Sequence, residues 1–161
     1  MTKPVNPFMA ATFPPPVMEA RRWLDGVSFP AERPLINISQ AAPVDLPPLE
    51  LRKAIAEAAI NLPEAHLYGP VLGMDALRAE QWSQAYGGTV LESQTAITQG
   101  CNQAFCAVMS TLAAAGDEVI LPTPWYFNHK MWLDMQGVKT VPLAAGAGLI
   151  PEAEAAAALI T

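Results

Sequence analysis

The residues that could carry chemistry lie in the middle of the chain. An apolar segment at 96–99 turns through Gly100, Cys101 and Asn102 into a second apolar segment. When a strand turns through glycine into a helix, the first N–H groups of the helix have no carbonyl partner, and the helix dipole attracts an anion such as phosphate. These three residues are therefore candidates to bind a phosphoryl group.

A second set of candidate residues follows the next apolar segment. Residues 118–122 read EVILP, and the segment 123–126, TPWY, comes directly after them. In an open α/β sheet the ends of neighbouring strands share one crevice, so an aromatic ring here could cover a flat ligand. Together the two segments predict a site for a phosphorylated aromatic molecule.

The same residues also have simpler interpretations. Gly100 could only close a strand-to-helix turn, with Asn102 as a helix cap. Cys101 is expected to contribute its small size and its backbone N–H, because no neighbour in sequence supplies the base that a nucleophilic thiol needs. If residues 126–130 are helical, Tyr126 and Lys130 share one face of the helix. Exposed lysines are common on helices, so Lys130 is expected to be an ordinary surface lysine and not a group that reacts with a ligand.

Composition limits the classes of partner. The 161 residues are 52% hydrophobic and 15% charged, which indicates a globular chain with a substantial core. The formal net charge of -6 would repel a nucleic-acid backbone, so we expect a small-molecule ligand and no nucleic acid.

Neither a membrane segment nor an export signal is expected from the sequence. The longest mainly apolar run, 104–115, is roughly half the length that crosses a membrane. The first residues are interrupted by prolines and contain no continuous apolar segment of signal-peptide length. Cys101 and Cys106 are spaced for different faces of a helix, which fits neither a zinc pair nor a redox dithiol. A reducing, cytoplasmic location is the expectation.

The hydrophobic pattern predicts an α/β fold. Helices are expected at 17–24, 47–61 and 74–86, and a short strand at 35–38. After Thr95, strands and helices alternate. The strands are predicted near 95–98, 118–122 and 138–143, and the helices at 102–115, 126–136 and 151–160.

Four segments, in this order and spacing, carry a resemblance to a known family. They are INISQAAP at 36–43, the residues Tyr68, Gly69, Gly73, Leu77 and Arg78, TQGCNQA at 98–104, and the stretch from GDEV to the aromatic cluster at 116–129. Each motif alone is weak, but the ordered set resembles the class I/II aminotransferases. These are the fold-type-I pyridoxal 5′-phosphate (PLP) enzymes related to aspartate aminotransferase.

The resemblance implies a fold and a domain organisation. Residues 1–44 would form an N-terminal arm and a small-domain segment. Residues 45–161 would form the amino-terminal part of the PLP-binding large domain, a mixed, mostly parallel sheet flanked by helices. The implied activity is transfer of an amino group between an amino acid and a 2-oxo acid.

The resemblance also implies roles for residues that bind the cofactor. Gly100, Cys101 and Asn102 would donate main-chain and side-chain hydrogen bonds to the PLP phosphate, and Tyr126 would stack on the pyridine ring. His129 matches a histidine that supports the acid paired with the pyridine nitrogen.

Two further positions match residues near the substrate or the partner subunit. Tyr68 matches the tyrosine that reaches the phosphate of the neighbouring subunit, which implies a homodimer with shared sites. Ala41 stands in the substrate loop where the family commonly has glycine, so its methyl group would hinder the substrate carboxylate or narrow the substrate range.

The family's Schiff-base lysine, its pyridinium-binding aspartate and its carboxylate-binding arginine are expected beyond Thr161. The chain resembles the amino-terminal portion of such an enzyme, and we expect it to have no transaminase activity alone. The alternatives are another fold-type-I PLP enzyme, such as a β-lyase or an aminotransferase-like regulator domain, and a non-catalytic phosphate-binding α/β module. A further possibility is an unstable chain that exposes an unpaired sheet edge.

Overall fold

A computed structural model describes residues 5–40, 42–78, 85–87 and 90–161. The chain packs as two compact units, one formed by Met1–Gln40 with Gly100–Thr161 and the other by Ala41–Gln99. This division reflects internal packing. The domain boundary between residues 44 and 45, which follows from the family resemblance, stays a prediction.

The unit Ala41–Gln99 contains helix α3 (Leu49–Asn61), a 3₁₀ turn (Pro63–His66), the short helix α4 (Asp75–Arg78) and a 3₁₀ turn (Glu92–Gln94). Helix α3 begins directly after Pro48, because proline is tolerated where helical N–H groups have no partner. It ends one residue before Leu62, whose backbone is extended and which precedes Pro63.

Arg78 is the buried charged residue of this unit. Its side chain forms ion pairs with Asp75 at 2.5 Å and with Glu92 at 3.1 Å. It also donates to the carbonyl oxygens of Gly73 and Glu92, at 3.2 and 3.0 Å. Arg78 therefore joins the loop before α4 to the 3₁₀ turn after it.

The other unit carries the sheet. Its elements are helices α1 (Pro7–Ala11), α2 (Pro16–Arg22), α5 (Gly100–Leu112), α6 (Phe127–Gln136) and α7 (Ala153–Ala157), and strands β1 (Glu118–Thr123) and β2 (Lys139–Ala144). The two strands are parallel, with Glu118 opposite Lys139 and Thr123 opposite Ala144. Helix α6 is the crossover that a parallel pair requires. This arrangement confirms the α/β class.

The core of this unit lies between the sheet and helices α5 and α6. Leu121 of β1, Leu133 of α6 and Val138 are buried together, and Leu133 has no exposed surface. Phe105 and Met109 of α5 pack against them, because residues four apart share one helix face. The packing fixes α5 and α6 next to each other above the sheet.

Two predicted strands are wrong. Residues 35–38 and 95–98 have no strand pairing in the structure. Asn37 instead accepts hydrogen bonds from the backbone N–H and the hydroxyl of Ser39, which favours a local turn over a ladder. Ile97 donates its N–H to Leu72 of a loop, at 2.9 Å. Apolar character alone does not make a strand where no neighbouring strand is available.

The other predicted elements are confirmed, with shifted ends. Helix α5 begins two residues earlier than expected, at Gly100, and α7 is shorter than the predicted 151–160. Of the helix predicted at 74–86, the structure has α4, and residues 79–84 lie outside the described part of the chain. In the described ranges, no helix has the length and apolar character needed to cross a membrane.

Candidate functional site

The first part of the site is the start of α5. Gly100 has φ of +82°, a left-handed backbone that costs side-chain-bearing residues free energy. No atom lies within 4 Å of the place where a Cβ would stand, so the turn opens onto free space. Cys101 and Asn102 follow it and are exposed. This geometry leaves room for an anion at the helix start.

A pocket of about 210 Å³ lies between α5 and α6. Asn102, Phe105 and Cys106 of α5 line it together with Asn128, Met131, Trp132 and Met135 of α6. Its walls are mostly apolar, with the two asparagine carboxamides as polar groups. The pocket therefore combines an apolar surface with a few hydrogen-bonding groups, as small-molecule sites commonly do.

Tyr126 lies between β1 and α6 and is the residue before the first turn of α6. The residue is 48% exposed. Its phenol oxygen accepts a hydrogen bond from Nδ2 of Asn128 at 2.7 Å. The ring is therefore held at its polar end while the residue remains accessible.

His129 lies in the first turn of α6 and is partly buried. Its ring stacks on Phe105, with centroids 4.0 Å apart and planes 16° from parallel. It meets the Tyr126 ring edge-on, at 5.2 Å and 83°. Burial lowers the pKa of the His129 imidazole, because the charged form loses hydration. The neutral form is therefore favoured.

A shared pocket and a set of ring contacts relate α5 to Tyr126. Asn102 and Asn128 line the same pocket, and Asn128 donates to the Tyr126 hydroxyl. Phe105 of α5 stacks on His129, which meets the Tyr126 ring. Of the candidate phosphate-binding residues, Asn102 thus lies at the pocket whose Asn128 holds the candidate stacking residue.

Lys130 forms an ion pair with Asp134 one turn further along α6. Its ammonium group also lies 5.9 Å from the centroid of the Trp125 ring. Both contacts are those of a lysine that stabilises its own helix, in keeping with the ordinary role expected for Lys130.

Tyr68 and Ala41 are the other two residues predicted for the site. Tyr68 belongs to the unit Ala41–Gln99 and is fully exposed. Ala41 lies outside the described residues. Their roles beside the substrate and the neighbouring subunit stay predictions.

Sequence reasoning missed two residues of the site, Phe105 and Asn128. Phe105 was one apolar residue among many on a helix, yet its position three residues after Asn102 places it near the same face of α5. Asn128 follows Tyr126 by two residues, a spacing at which a carboxamide can reach the preceding turn. Neither spacing is distinctive without the structure.

The residues present fit a phosphorylated heterocycle. The helix start offers N–H groups and the Asn102 carboxamide beside a glycine with open space, and Tyr126 offers an accessible ring. Within the described residues, no group of three or more His, Cys, Asp or Glu side chains is placed to hold a metal ion. The N–H donors at the helix start suit an anion.

The sheet, the crossover helix and the glycine turn are those of a known class of protein. The family model described as aminotransferase class I and II matches residues 33–153, and the chain belongs to that family. It is 37% identical over 90 residues to the aromatic aminotransferase ISS1 of Arabidopsis thaliana, covering 54% of this chain and 23% of that protein. It is 30% identical over 118 residues to an aspartate aminotransferase of Streptomyces avermitilis, covering 71% of this chain and 29% of that protein.

Solved structures agree with this assignment. The crystal structure of an aminotransferase from Mycobacterium tuberculosis superposes with a TM-score of 0.76 at 25% identity, over 97% of this chain and 41% of that chain. The chain thus spans 23–41% of the length of these relatives.

Proposed function

We propose that this chain is the cofactor-binding part of a PLP-dependent aminotransferase, which transfers an amino group between an amino acid and a 2-oxo acid. The observation that supports it most is that Asn102, at the start of α5, lines a pocket with Asn128, which holds the hydroxyl of Tyr126. A phosphate group and a flat ring of one ligand would each meet a suitable surface there.

The start of α5 would bind the phosphate. The backbone N–H groups that follow Gly100 and the carboxamide of Asn102 would donate to its oxygens, and charge-assisted hydrogen bonds of this kind are about twice as strong as neutral ones. Cys101 would contribute its N–H, and its small, exposed side chain leaves the approach open. These donors would fix one end of the cofactor.

The ring of Tyr126 would cover the heterocycle and restrict its tilt. His129 would support, in its neutral form, the acid that the family pairs with the pyridine nitrogen. When bound, PLP supplies the electron sink for the reaction at the substrate carbon, and the protein supplies orientation and electrostatics.

Tyr68 and Ala41 would act at the edges of the site. We propose that Tyr68 reaches the phosphate bound by a second copy of the chain in a homodimer. Ala41 would stand beside the substrate carboxylate. The similar proteins carry names with different substrates, aromatic amino acids in one and aspartate in another, so the proposal stops at the amino acid and 2-oxo acid classes.

The cellular location proposed here is the cytoplasm. Cys101 and Cys106 are both free thiols, which suits a reducing compartment.

The proposed function is tested by ligand discrimination followed by turnover. Pyridoxine 5′-phosphate has no aldehyde and cannot form imines with surface lysines, so its heat of binding reports the site itself. We expect it to bind and adenosine monophosphate not to compete; equal binding of the nucleotide would instead favour a general phosphate-binding module. Addition of PLP, an amino acid and 2-oxo acids to the whole protein should then give amino transfer, and β-elimination alone would assign a lyase.

A further inference from the structure

Phe105, His129 and Tyr126 make continuous ring contacts that span α5 and the start of α6. We call them the aromatic cluster. The first contact is a parallel stack at 4.0 Å and the second an edge contact at 5.2 Å. Phe105 also packs against the core that Leu121, Leu133 and Val138 form. The cluster is therefore anchored at its Phe105 end.

Phe105 has no group that could transfer a proton or bind phosphate, so any part it has in the site is geometric. Its ring covers one face of the His129 imidazole, and an aromatic stack of this kind restricts the plane of both rings. The edge contact joins His129 to Tyr126, whose ring also lies 5.2 Å from the Phe127 ring at 58° and accepts the hydrogen bond from Asn128. Ring contacts therefore run from Phe105 of α5 to Tyr126.

We propose that Phe105 is a positioning residue for cofactor binding, which acts through His129 to fix the plane of the Tyr126 ring. This inference rests on the proposed function, because it takes Tyr126 to be the surface on which the heterocycle stacks. Phe105 lies three residues after Asn102 on α5, so it would also hold the stacking ring at a set distance from the phosphate-binding turn.

Three variants test the inference. Phe105→Leu removes the ring, Phe105→Tyr retains it, and Val108→Ala alters an exposed residue of the same helix as the control. The chain has two histidines, so the C–H protons of the His129 imidazole are resolved by NMR with His66 as the internal reference. In Phe105→Leu we expect the Phe105 contribution to the ring-current shift of the His129 protons to disappear, while the contribution of Tyr126 remains; the whole shift should persist in the other two variants.

The same variants are titrated with pyridoxine 5′-phosphate and with inorganic phosphate. Loss of a positioned aromatic stack should weaken binding of the phosphate ester about three- to tenfold in Phe105→Leu. Inorganic phosphate should bind equally to all of the variants, which a general loss of structure would not allow. Phe105→Tyr should restore the affinity. If Phe105→Leu fails to fold, Phe105→Met fills a similar volume without a ring and replaces it.

Equal affinity for the ester in the unaltered protein and in a folded ring-less variant overturns the role of Phe105. So does a parallel loss of affinity for both ligands. Absence of any binding of the ester by the unaltered protein is a different result, since it overturns the proposed function on which the role depends.

Discussion

In the proposed site, Tyr126 recognises the flat ring of the ligand. Removing the ring in Tyr126→Ala should weaken the binding of pyridoxine 5′-phosphate about three- to tenfold, which corresponds to the usual free energy of an aromatic pair. Tyr126→Phe keeps the ring and loses only the hydrogen bond from Asn128, so it should retain most of the affinity. Calorimetric titration measures both. Equal weakening by the two substitutions would indicate that the hydroxyl, and not the ring face, contacts the ligand.

His129 gives a prediction for pH. Burial lowers the pKa of its imidazole in the folded chain, so the unfolded chain takes up the proton first as the pH falls. Stability should therefore decrease as the pH falls below about 6.5, the ordinary histidine value, and this loss should end below the pKa of the folded state. Urea unfolding of the unaltered protein and of His129→Gln, measured at several pH values below about 6.5, checks this prediction. An identical pH dependence for the two would contradict the prediction.

At this scale, residue types and spacing selected Gly100, Asn102 and the aromatic segment 123–126 as candidates, and the family resemblance selected Tyr126 within that segment and added His129; their roles stay predictions. They could not select Phe105 or Asn128. Contacts between side chains of α5 and α6 depend on the packing of the two helices, which no single segment of sequence specifies.

At the scale of elements, the start of α5 can be tested with a matched pair of glycines. Gly100 and Gly116 both have positive φ, and neither has an atom within 4 Å of the Cβ position. Substitution by alanine should therefore cost each about 1–2 kcal/mol of stability. Only Gly100→Ala should also weaken the binding of pyridoxine 5′-phosphate, by about tenfold. The reason is that a shifted turn would lose a charge-assisted hydrogen bond to the phosphate.

Thermal unfolding and ligand titration of the two glycine variants separate these effects. Loss of ligand affinity in Gly116→Ala as well would show that stability, and not the geometry of the α5 start, determines binding.

Arg78 should contribute more to stability than other arginines. The Arg78 side chain is 10% exposed and contacts four acceptor atoms, which belong to Gly73, Asp75 and Glu92. The Arg22 side chain is 62% exposed and pairs with Glu19 alone among the contacts described. Arg78→Ala should lower the free energy of unfolding by about 1.5–3 kcal/mol, and Arg22→Ala by at most about 1 kcal/mol. Urea unfolding measures both, with exchange of the Ile97 amide as a local probe. Similar costs for the two would contradict the assigned role of Arg78.

The elements that could be predicted were those with local determinants. Glycine and proline punctuation and apolar periodicity located α3, α5, α6 and both strands of the sheet. The strands predicted at 35–38 and 95–98 failed because a strand requires a partner, and the described residues supply only β1 and β2 as a pair. Pairing between distant segments is not encoded in the segment itself.

At the scale of the whole molecule, both compact units leave large apolar side chains exposed. Ile36 and Ile38 in one unit and Leu46 in the other are more than 70% exposed. Surface of this kind is commonly covered by other protein surface.

The central proposal is that one ligand contacts the start of α5 and the ring of Tyr126 at the same time. An NMR titration with pyridoxine 5′-phosphate tests it most directly. We predict that the amide signals of Cys101 and Asn102 and the ring protons of Tyr126 shift together and saturate at one concentration, while inorganic phosphate shifts only the amides. If the ester shifts the amides and leaves Tyr126 unchanged, or shifts neither, the account of this site is wrong.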